Sequence, residues 1–370
     1  MVNKVAIIGG GPAGLVAAIS AGRLGANVTV FEASDRIGKK ILATGNGRCN
    51  MSNSGLNPEA YKHPDFVRPV FDRFGYDDTL KFFRSMGLLT VVDGEGRVYP
   101  RTKQASSVLN CLRAELGRMP IRIITDKKVS EITPSGDKYI VDGEAFDRVI
   151  IATGGGSAVA SALGHTVIKG VPTLTAVVTD KKNLVGLSGK RVDAIVTLIG
   201  DGTELAERGE VLFRDNGLSG IAVFNHTARM AWGKGPWKIA LDVVPELSEA
   251  ELCAEIEGRN VVSRGTEALE GLVDRFLAQL AIKAVGTDGK KLAGFFKAVP
   301  YAVQGVRAEG AQVTSGGVDV SELTSSLKSK RCKGLYVVGE AVDVDGLCGG
   351  YNLQWAWSSG YIAGTEAARG

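Results

Sequence analysis

The sequence predicts an α/β fold in which a parallel sheet is accompanied by an inserted β-rich domain and a small helical segment. Three observations indicate this. The apolar run Val5-Ala6-Ile7-Ile8 leads into the glycine turn Gly9-Gly10-Gly11-Pro12-Ala13-Gly14, and a second apolar run then ends at Glu32. The middle of the chain changes to short β segments, and helical periodicity begins near Ser248. At 370 residues the chain exceeds the size of a single core, so two or three domains are expected.

The N-terminal strand, turn, helix and second strand have the spacing of a dinucleotide-binding motif. Gly9 permits the tight turn, Gly11 lets backbone N–H groups approach a pyrophosphate, and Gly14 lets the helix pack against the strand. The helix N-terminus supplies partial positive charge to phosphates. Glu32, at the end of the second strand, can accept hydrogen bonds from a ribose diol. The motif therefore predicts a bound dinucleotide.

The first half of the chain continues with helices, a hairpin and a meander. An apolar face over residues 65–74 predicts one helix, and Asp78 and Thr102 are predicted to cap two more. A hairpin is expected around Asp93-Gly94-Glu95-Gly96. Residues 121–152 are predicted to form four short strands, a meander that returns to the parallel sheet.

The second half is predicted to begin as a barrel and to end in the first domain. Residues 172–243 indicate a barrel-like domain with a turn at Asp201-Gly202. Ser248 and Glu251 fit a capping box at the start of a helical stretch. A last buried strand then leads to a final helix, from about Leu353 to Ala368.

Composition argues against several classes of function. The net charge is +4 with scattered basic residues, so no nucleic-acid surface is expected. No apolar stretch of about 18 residues suggests a membrane span, and the protein is expected in the cytoplasm. The five cysteines include no C-x-x-C pair and the three histidines lie far apart, which predicts neither a disulfide framework nor a metal site.

Two further segments are predicted to join the glycine turn around one long cofactor. The polar loop from Gly38 to Asn50 can present backbone amides and the charges of Lys40 and Arg48, or it is a flexible surface loop. The third segment runs from Gly339 to Leu353. It combines a carboxylate at a strand end, suited to a polyol chain, with a glycine pair that opens a helix.

These segments together resemble one family. The motifs are Gly-x-Gly-x-x-Gly, Gly45-x-Gly47-Arg48-Cys49-Asn50, Ala152-Thr153-Gly154-Gly155, Val313-Thr314-x-Gly316-Gly317-Val318 and Gly349-Gly350-Tyr351-Asn352-Leu353-Gln354. They resemble the bacterial NAD(P)/FAD-dependent oxidoreductases that include aminoacetone oxidase and bile-acid enone reductases. The resemblance implies a glutathione-reductase-like FAD-binding Rossmann domain (1–170 and 313–370), an inserted β-barrel substrate domain (171–244 and 294–312) and a helical insertion (245–293), which is shorter than in typical members.

The resemblance also implies which residues contact the cofactor, FAD. The backbone of Val129 is expected to pair with adenine. The other expected contacts are Gly9, Gly11, Pro12, Ala13, Gly14, Glu32, Ala33, Lys40, Thr44, Gly45, Asn46, Gly47, Arg48, Cys49, Asn50, Ala152, Thr153, Gly154, Gly339, Glu340, Gly350, Tyr351, Asn352 and Leu353.

The substrate side of the site is predicted from fewer signals. The hairpin segment Arg97-Val98-Tyr99-Pro100-Arg101 is expected to supply polar groups that face the substrate, or it is a solvent-exposed charged hairpin. Cys348 stands where the family has a small hydroxyl residue, so its thiol is either a redox partner or acid, or simply a packing group. No histidine is singled out as a general base.

The predicted function is that of an FAD-dependent oxidoreductase acting on a small organic molecule. The leading hypothesis is NAD(P)H-driven reduction of an activated C=C bond. The alternative is an amine oxidase, similar to aminoacetone oxidase, that uses O2 and releases H2O2. A dinucleotide motif that begins at Gly154 would need a glycine at position 159, where this sequence has Val159. A nicotinamide donor is therefore expected to dock only transiently. An RNA-modifying flavoprotein would need a basic stripe, and a non-catalytic module would hold a flavin that does not turn over.

Overall fold

The structure is a computed structural model that describes residues 3–370. The chain divides into two units. The first contains the residues up to Val171 together with Val313–Gly370, and the second is Pro172–Gln312. Each unit has its own cluster of buried apolar side chains.

Strands and helices are interspersed in the first part of the chain, whereas later parts contain runs of consecutive strands and of consecutive helices. The strands are β1 (Lys4–Ile8), β2 (Asn27–Phe31), β3 (Ser52–Asn53), β4 (Thr90–Val92), β5 (Arg97–Pro100), β6 (Ile121–Ile124), β7 (Ile132–Ser135), β8 (Lys138–Val141), β9 (Glu144–Phe146), β10 (Arg148–Ile151), β11 (Val167–Thr173), β12 (Val177–Thr179), β13 (Arg191–Gly200), β14 (Thr203–Arg214), β15 (Gly217–Ser219), β16 (Lys238–Asp242), β17 (Val299–Val306), β18 (Val313–Val318) and β19 (Leu335–Val337). The helices are α1 (Pro12–Arg23), α2 (Lys39–Ala43), α3 (Pro64–Arg73), α4 (Tyr76–Ser85), α5 (Ala105–Leu116), α6 (Ala158–Ala162), α7 (Ile221–Trp232), α8 (Glu249–Gly258), α9 (Val261–Arg264), α10 (Arg275–Val285), α11 (Gly289–Lys297) and α12 (Tyr351–Arg369).

A five-stranded parallel sheet forms the centre of the first unit, in the order β19-β10-β1-β2-β6. Its inner strands are runs of Val, Ile and Ala that are buried along nearly their whole length. Such continuous apolar runs suit strands covered on both faces, as parallel sheets require. The predicted parallel α/β sheet is therefore confirmed, with β1 at its middle and the glycine turn at the carboxyl end of β1.

Helix α12 connects the segments that the sequence predicts to meet. A Cβ atom at Gly360 would lie 2.3 Å from the Ala13 carbonyl oxygen, so this helix crosses α1 at backbone distance. The Trp355 Nε1–H donates to the Gly339 carbonyl at 3.1 Å, and the Trp357 Nε1–H donates to the Met51 carbonyl at 3.0 Å. Both indoles are buried. Three distant parts of the chain are thus fixed to one helix.

Several local predictions for the first unit are wrong in detail. Strand β6 pairs with β2 in the parallel sheet, and only β7, β8 and β9 form the antiparallel meander. Val129 lies before β7, outside any strand. Helix α4 begins earlier than predicted, with Gly75 at its N-cap and Asp78 accepting from the Gly75 N–H at 3.1 Å. Thr102 does not cap α5, because its hydroxyl hydrogen-bonds to that of Ser107.

The second unit contains a closed antiparallel barrel in the order β12-β15-β14-β13-β16-β17. Asp201-Gly202 joins β13 to β14, as predicted, and both residues have positive φ. The predicted capping box is confirmed, because the Ser248 N–H donates to Glu251 Oε2 at 2.8 Å and the Glu251 N–H to Ser248 Oγ at 3.3 Å. Helices α8 to α11 fill the chain between β16 and β17.

No helix within residues 3–370 is both long and apolar enough to cross a membrane. In the same range there is no group of three or more His, Cys, Asp or Glu side chains that could hold a metal ion.

Candidate functional site

The glycine turn, Gly9–Gly14, is shaped by contacts between backbone atoms. Gly9 has φ +114°, and a Cβ atom there would lie 2.3 Å from the Ala152 carbonyl oxygen. A Cβ atom at Gly14 would lie 1.9 Å from the Gly9 carbonyl oxygen. At Gly11, in contrast, no described residue other than its chain neighbours comes within 4 Å of that position. Two glycines are therefore needed for packing, and the third leaves open space at the N-terminus of α1, where free N–H groups can bind a pyrophosphate.

The Glu32 carboxylate lies beside this turn. It accepts hydrogen bonds from the Gly10 N–H at 2.8 Å and from the Ser34 N–H at 2.7 Å. A carboxylate has about four acceptor sites, so two remain for a ribose diol. The Lys127 N–H donates to the Glu32 carbonyl at 2.8 Å, which brings the segment before Val129 to the same place. This geometry suits the predicted adenosine end of a dinucleotide.

The loop from Thr44 to Asn50 has an unusual backbone. Gly45, Asn46, Gly47 and Cys49 all have positive φ, although two of them carry side chains. The turn is closed by the Cys49 N–H, which donates to the Thr44 carbonyl at 3.0 Å. Left-handed non-glycine residues are strained and cluster at binding sites, and concave runs of N–H groups bind anions. The backbone of this loop is therefore shaped to present N–H groups to an anion, as the sequence predicts for a cofactor loop.

Two side chains at the end of this loop differ in what they can do. Burial raises the pKa of the Cys49 thiol to about 12, against a smaller lowering by the Thr44 hydrogen bond, so this thiol stays protonated and packs. Asn50 Oδ1 is buried and accepts no hydrogen bond from any residue that the structure describes. A Cβ atom at Gly350 would lie 2.7 Å from it. A buried acceptor without a donor fits an N–H group of a bound ligand.

The three predicted cofactor segments approach one another through an ion pair and through glycines. Lys40 and Glu340, which are separated by 300 residues in sequence, form an ion pair. A Cβ atom at Gly154 would lie 3.8 Å from Glu340 Oε2, and one at Gly339 would lie 2.9 Å from Ala13 Cβ. Together with the approach of Gly350 to Asn50, these contacts bring the glycine turn, the 38–50 segment, the end of β10 and the residues before α12 next to one another.

The remaining predicted residues extend this site. Ala33 follows Glu32, and Thr153 follows Ala152 at the end of β10. Tyr351, Asn352 and Leu353 form the first turn of α12, where the Asn352 side chain bonds back to the N–H and carbonyl of Gly346 at 3.0 and 2.7 Å. Cys348 lies just before the glycine pair.

A cleft of about 380 Å³ opens beside the 44–50 loop and is called here the basic cleft. It contains both Arg97 and Tyr99, the hairpin residues predicted to face a substrate, but it does not include Cys348. Its lining residues are Arg48, Val91, Val92, Asp93, Arg97, Tyr99, Arg101 and Lys103. Sequence reasoning missed Asp93 and Lys103. Lys103 lies beyond the end of β5 and has φ +52°, so the two-residue period of the strand could not have found it.

The charges in the basic cleft are partly paired. Arg97 donates to Asp93 Oδ2 at 2.8 Å and contacts Glu95 Oε2 at 2.9 Å. Burial alone would raise the pKa of Asp93, but hydrogen bonds from Arg97 and from backbone amides outweigh it and lower the pKa. Burial raises the pKa of Tyr99, although Arg97 and Arg48 act in the opposite direction. At neutral pH the cleft therefore holds a neutral phenol among mostly positive charges.

Known proteins that resemble this chain identify its family. The family model described as the HI0933-like protein Rossmann domain matches residues 3–366. The chain belongs to the HI0933-like Rossmann family. Within it, the chain is 37% identical to the 3-dehydro-bile acid delta(4,6)-reductase of Clostridium scindens, over 99% of both chains. It is 26% identical to the ribosomal RNA dihydrouridine synthase of Haemophilus influenzae, over 98% of both chains, and 28% identical to that of Escherichia coli, over 97% of this chain and 96% of the other.

A solved structure supports the architecture. The 3-ketosteroid delta1-dehydrogenase of Sterolibacterium denitrificans superposes with a TM-score of 0.51 over 99% of this chain and 100% of the other, at 14% identity. At that identity the likeness shows the fold alone. Together with the family match, it confirms the predicted Rossmann class with an inserted barrel and helices. The predicted family and the FAD-dependent oxidoreductase class are confirmed as well.

Proposed function

We propose that this protein is a cytoplasmic FAD-dependent reductase that uses NAD(P)H to saturate a C=C bond conjugated to a carbonyl group in a small organic substrate. The observation that carries the proposal is the 37% identity to a bile-acid delta(4,6)-reductase over 99% of both chains. The substrate named there has C=C bonds conjugated to a 3-oxo group. Dihydrouridine, named in the more distant relatives, also arises by saturating a C=C bond conjugated to a carbonyl.

The residues of the site fit FAD. The open space before Gly11 suits the pyrophosphate, the free acceptor sites of Glu32 suit the ribose, and Asn50 Oδ1 offers an acceptor for a ring N–H. The ion pair between Lys40 and Glu340 holds the second and third of the predicted cofactor segments together. The positive end of the α12 dipole, at its N-terminus, favours negative charge on a bound cofactor. FAD, when bound, supplies the transfer of hydride between donor and substrate.

A nicotinamide donor is proposed to bind only transiently. After β10, Gly154-Gly155-Gly156 leads into α6, a helix of five residues that is capped by the Ser157 hydroxyl. A Cβ atom at Gly155 would lie 2.9 Å from Thr314 Cβ, so this glycine serves packing. A second dinucleotide site would need a complete glycine motif and a longer helix. These features support a donor that shares the substrate side of the site.

The test is anaerobic reduction of the FAD-loaded protein. NADH or NADPH should bleach the flavin absorbance, and a 3-oxo steroid acid with conjugated C=C bonds should then restore it and gain two hydrogen atoms per reduced bond, measured by mass spectrometry. A saturated 3-oxo steroid acid is the matched control and should restore nothing. Bleaching by an amine instead, with peroxide formed on admitting air, would replace this proposal with the amine oxidase.

A second candidate is the reduction of uridine in RNA. Two relatives named as ribosomal RNA dihydrouridine synthases match nearly the whole chain, and four of the eight residues lining the basic cleft are basic. Incubating the reduced protein with ribosomal RNA, followed by nucleoside mass spectrometry, would reveal this activity as dihydrouridine formed in place of uridine. The sequence-based expectation of no nucleic-acid partner stays a prediction until then.

A further inference from the structure

Three of the cations in the basic cleft have no partner in the part of the chain that the structure describes. Arg48, Arg101 and Lys103 are exposed, and among residues 3–370 none of their side chains forms an ion pair or a hydrogen bond. Arg97 is different, because Asp93 and Glu95 hold it. Other arginines of this unit, such as Arg23 with Glu115 and Arg122 with Glu144, are paired.

Unpaired like charges that converge in a concavity repel each other. The cost is recovered when an anion binds between them, and the walls of a cleft concentrate the field of its charges. Guanidinium groups match the two oxygens of a carboxylate or phosphate, and an ammonium group adds a flexible point charge. Tyr99 lines the same cleft, and a tyrosine hydroxyl can donate a further hydrogen bond.

We propose that the basic cleft binds an oxyanion carried by the organic substrate, a carboxylate, through Arg48, Arg101 and Lys103. This inference rests on the proposed reductase function and deepens it by assigning the residues that recognise the acid group of the enone substrate. Val91 and Val92 supply an apolar wall beside the cations. A site with one apolar side and three free cations is complementary to an apolar molecule with a single acidic end.

The confinement of the cations favours a small acid over RNA. They lie within one cleft of about 380 Å³, whereas an RNA strand is held by basic groups that follow its backbone over several nucleotides. Three side chains around one concavity do not provide the elongated path that a polyanion requires. Binding of RNA to the basic cleft is therefore one of the results that would contradict the proposal.

The experiment compares an enone acid with its methyl ester on the FAD-loaded protein. Arg101→Gln should lower kcat/KM for the acid about tenfold and leave the ester unchanged, as expected for a lost charged hydrogen bond. Arg101→Lys should retain part of the activity with the acid. Arg84→Gln is the matched control, because Arg84 is an exposed arginine of α4 outside the cleft, and it should change neither substrate.

A binding measurement separates this inference from the proposed function. In calorimetry, the saturated acid should bind to the FAD-loaded wild type. It should bind about tenfold more weakly to the Arg101→Gln variant, even if no enone is turned over. The inference fails if the wild-type protein uses the acid and the ester equally well. It also fails if Arg101→Gln slows flavin reduction by NADPH while binding of the acid is intact, because the cleft would then bind the phosphates of the donor. It fails also if the cleft binds RNA with a log–log salt slope of about −2 that Arg101→Gln reduces, as three phosphate contacts predict.

Discussion

The glycine turn and the basic cleft lie in the same unit but are built from different parts of the chain. In the turn, the decisive contacts are between backbone atoms, such as the 1.9 Å that a Gly14 Cβ would leave to the Gly9 carbonyl oxygen. The cleft, in contrast, is lined by side chains from a loop and a hairpin, and its ion pairs join Arg97 to Asp93 and Glu95. A backbone-built site ties ligand binding to the stability of the fold. A side-chain-built site can change its charge while the fold is kept.

The strongest test of this difference is a pair of substitutions in the glycine turn. Gly14→Ala should destabilise the protein by about 3 kcal/mol or more, because the methyl group must displace backbone. Gly11→Ala should change stability by no more than about 1 kcal/mol, since its methyl group enters open space, but should weaken FAD binding at least tenfold. Urea unfolding of flavin-free protein and flavin titration measure the two effects. Equal destabilisation by both variants would contradict the distinction.

The partly buried ion pair between Glu322 and Arg331 should give a smaller effect on stability, with a defined pH dependence. Glu322 is buried and accepts from the Arg331 guanidinium at 2.8 Å. The hydrogen bond from Arg331 is the main cause that lowers its pKa from 4.5 to about 2, with Thr166 helping and burial opposing. Glu322→Gln should cost about 1–2 kcal/mol at neutral pH, discounted because Arg331 is half exposed.

The pH dependence follows from the direction of that shift. The carboxylate stabilises the folded state fully above pH 4.5, and this contribution falls progressively as the pH is lowered toward about 2. The difference in Tm between wild type and Glu322→Gln should therefore shrink between pH 7 and pH 3. Glu309→Gln is the control, because Glu309 is 90% exposed and should have no effect. A difference that grows in acid would refute the assignment.

The smallest effect is expected from a change of charge in the basic cleft. Asp93 Oδ1 accepts from the N–H groups of Glu95 and Arg97 at 3.0 Å, and an asparagine keeps that acceptor. Asp93→Asn should release Arg97 and tighten binding of the enone acid about threefold, with stability nearly unchanged. Calorimetry with the saturated acid measures it, with Asp137→Asn, an exposed acid paired to Lys333, as the control. Weaker binding would show that Asp93 positions Arg97 instead of neutralising it.

The predictions from sequence succeeded where one short segment carries its own physical requirement. The strand, glycine turn and Glu32 are such a segment, as are the capping box of Ser248 and the turn at Asp201-Gly202. The predictions failed where a residue or strand has two possible partners and only the folded structure selects one. Thr102 has the residue type of an N-cap, yet its hydroxyl bonds to Ser107, and β6 joins the parallel sheet because β2 offers it an unpaired edge. The division into 1–170 with 313–370, 171–244 with 294–312, and 245–293 as functional domains stays a prediction, as do the individual FAD contacts.

The sequence by itself determined the fold class and the family, because glycine spacing and apolar periodicity are local consequences of backbone geometry. It also predicted the three segments of the candidate site. Only the tertiary structure decided that Lys40 meets Glu340 across 300 residues. It also decided that, among residues 3–370, Asn50 Oδ1 is buried without a donor, and that Arg97 is paired with Asp93 while Arg101 has no ionic partner. These facts depend on which distant side chains pack together. Pairing and burial of charges are properties of the folded neighbourhood, so no single segment of sequence contains them.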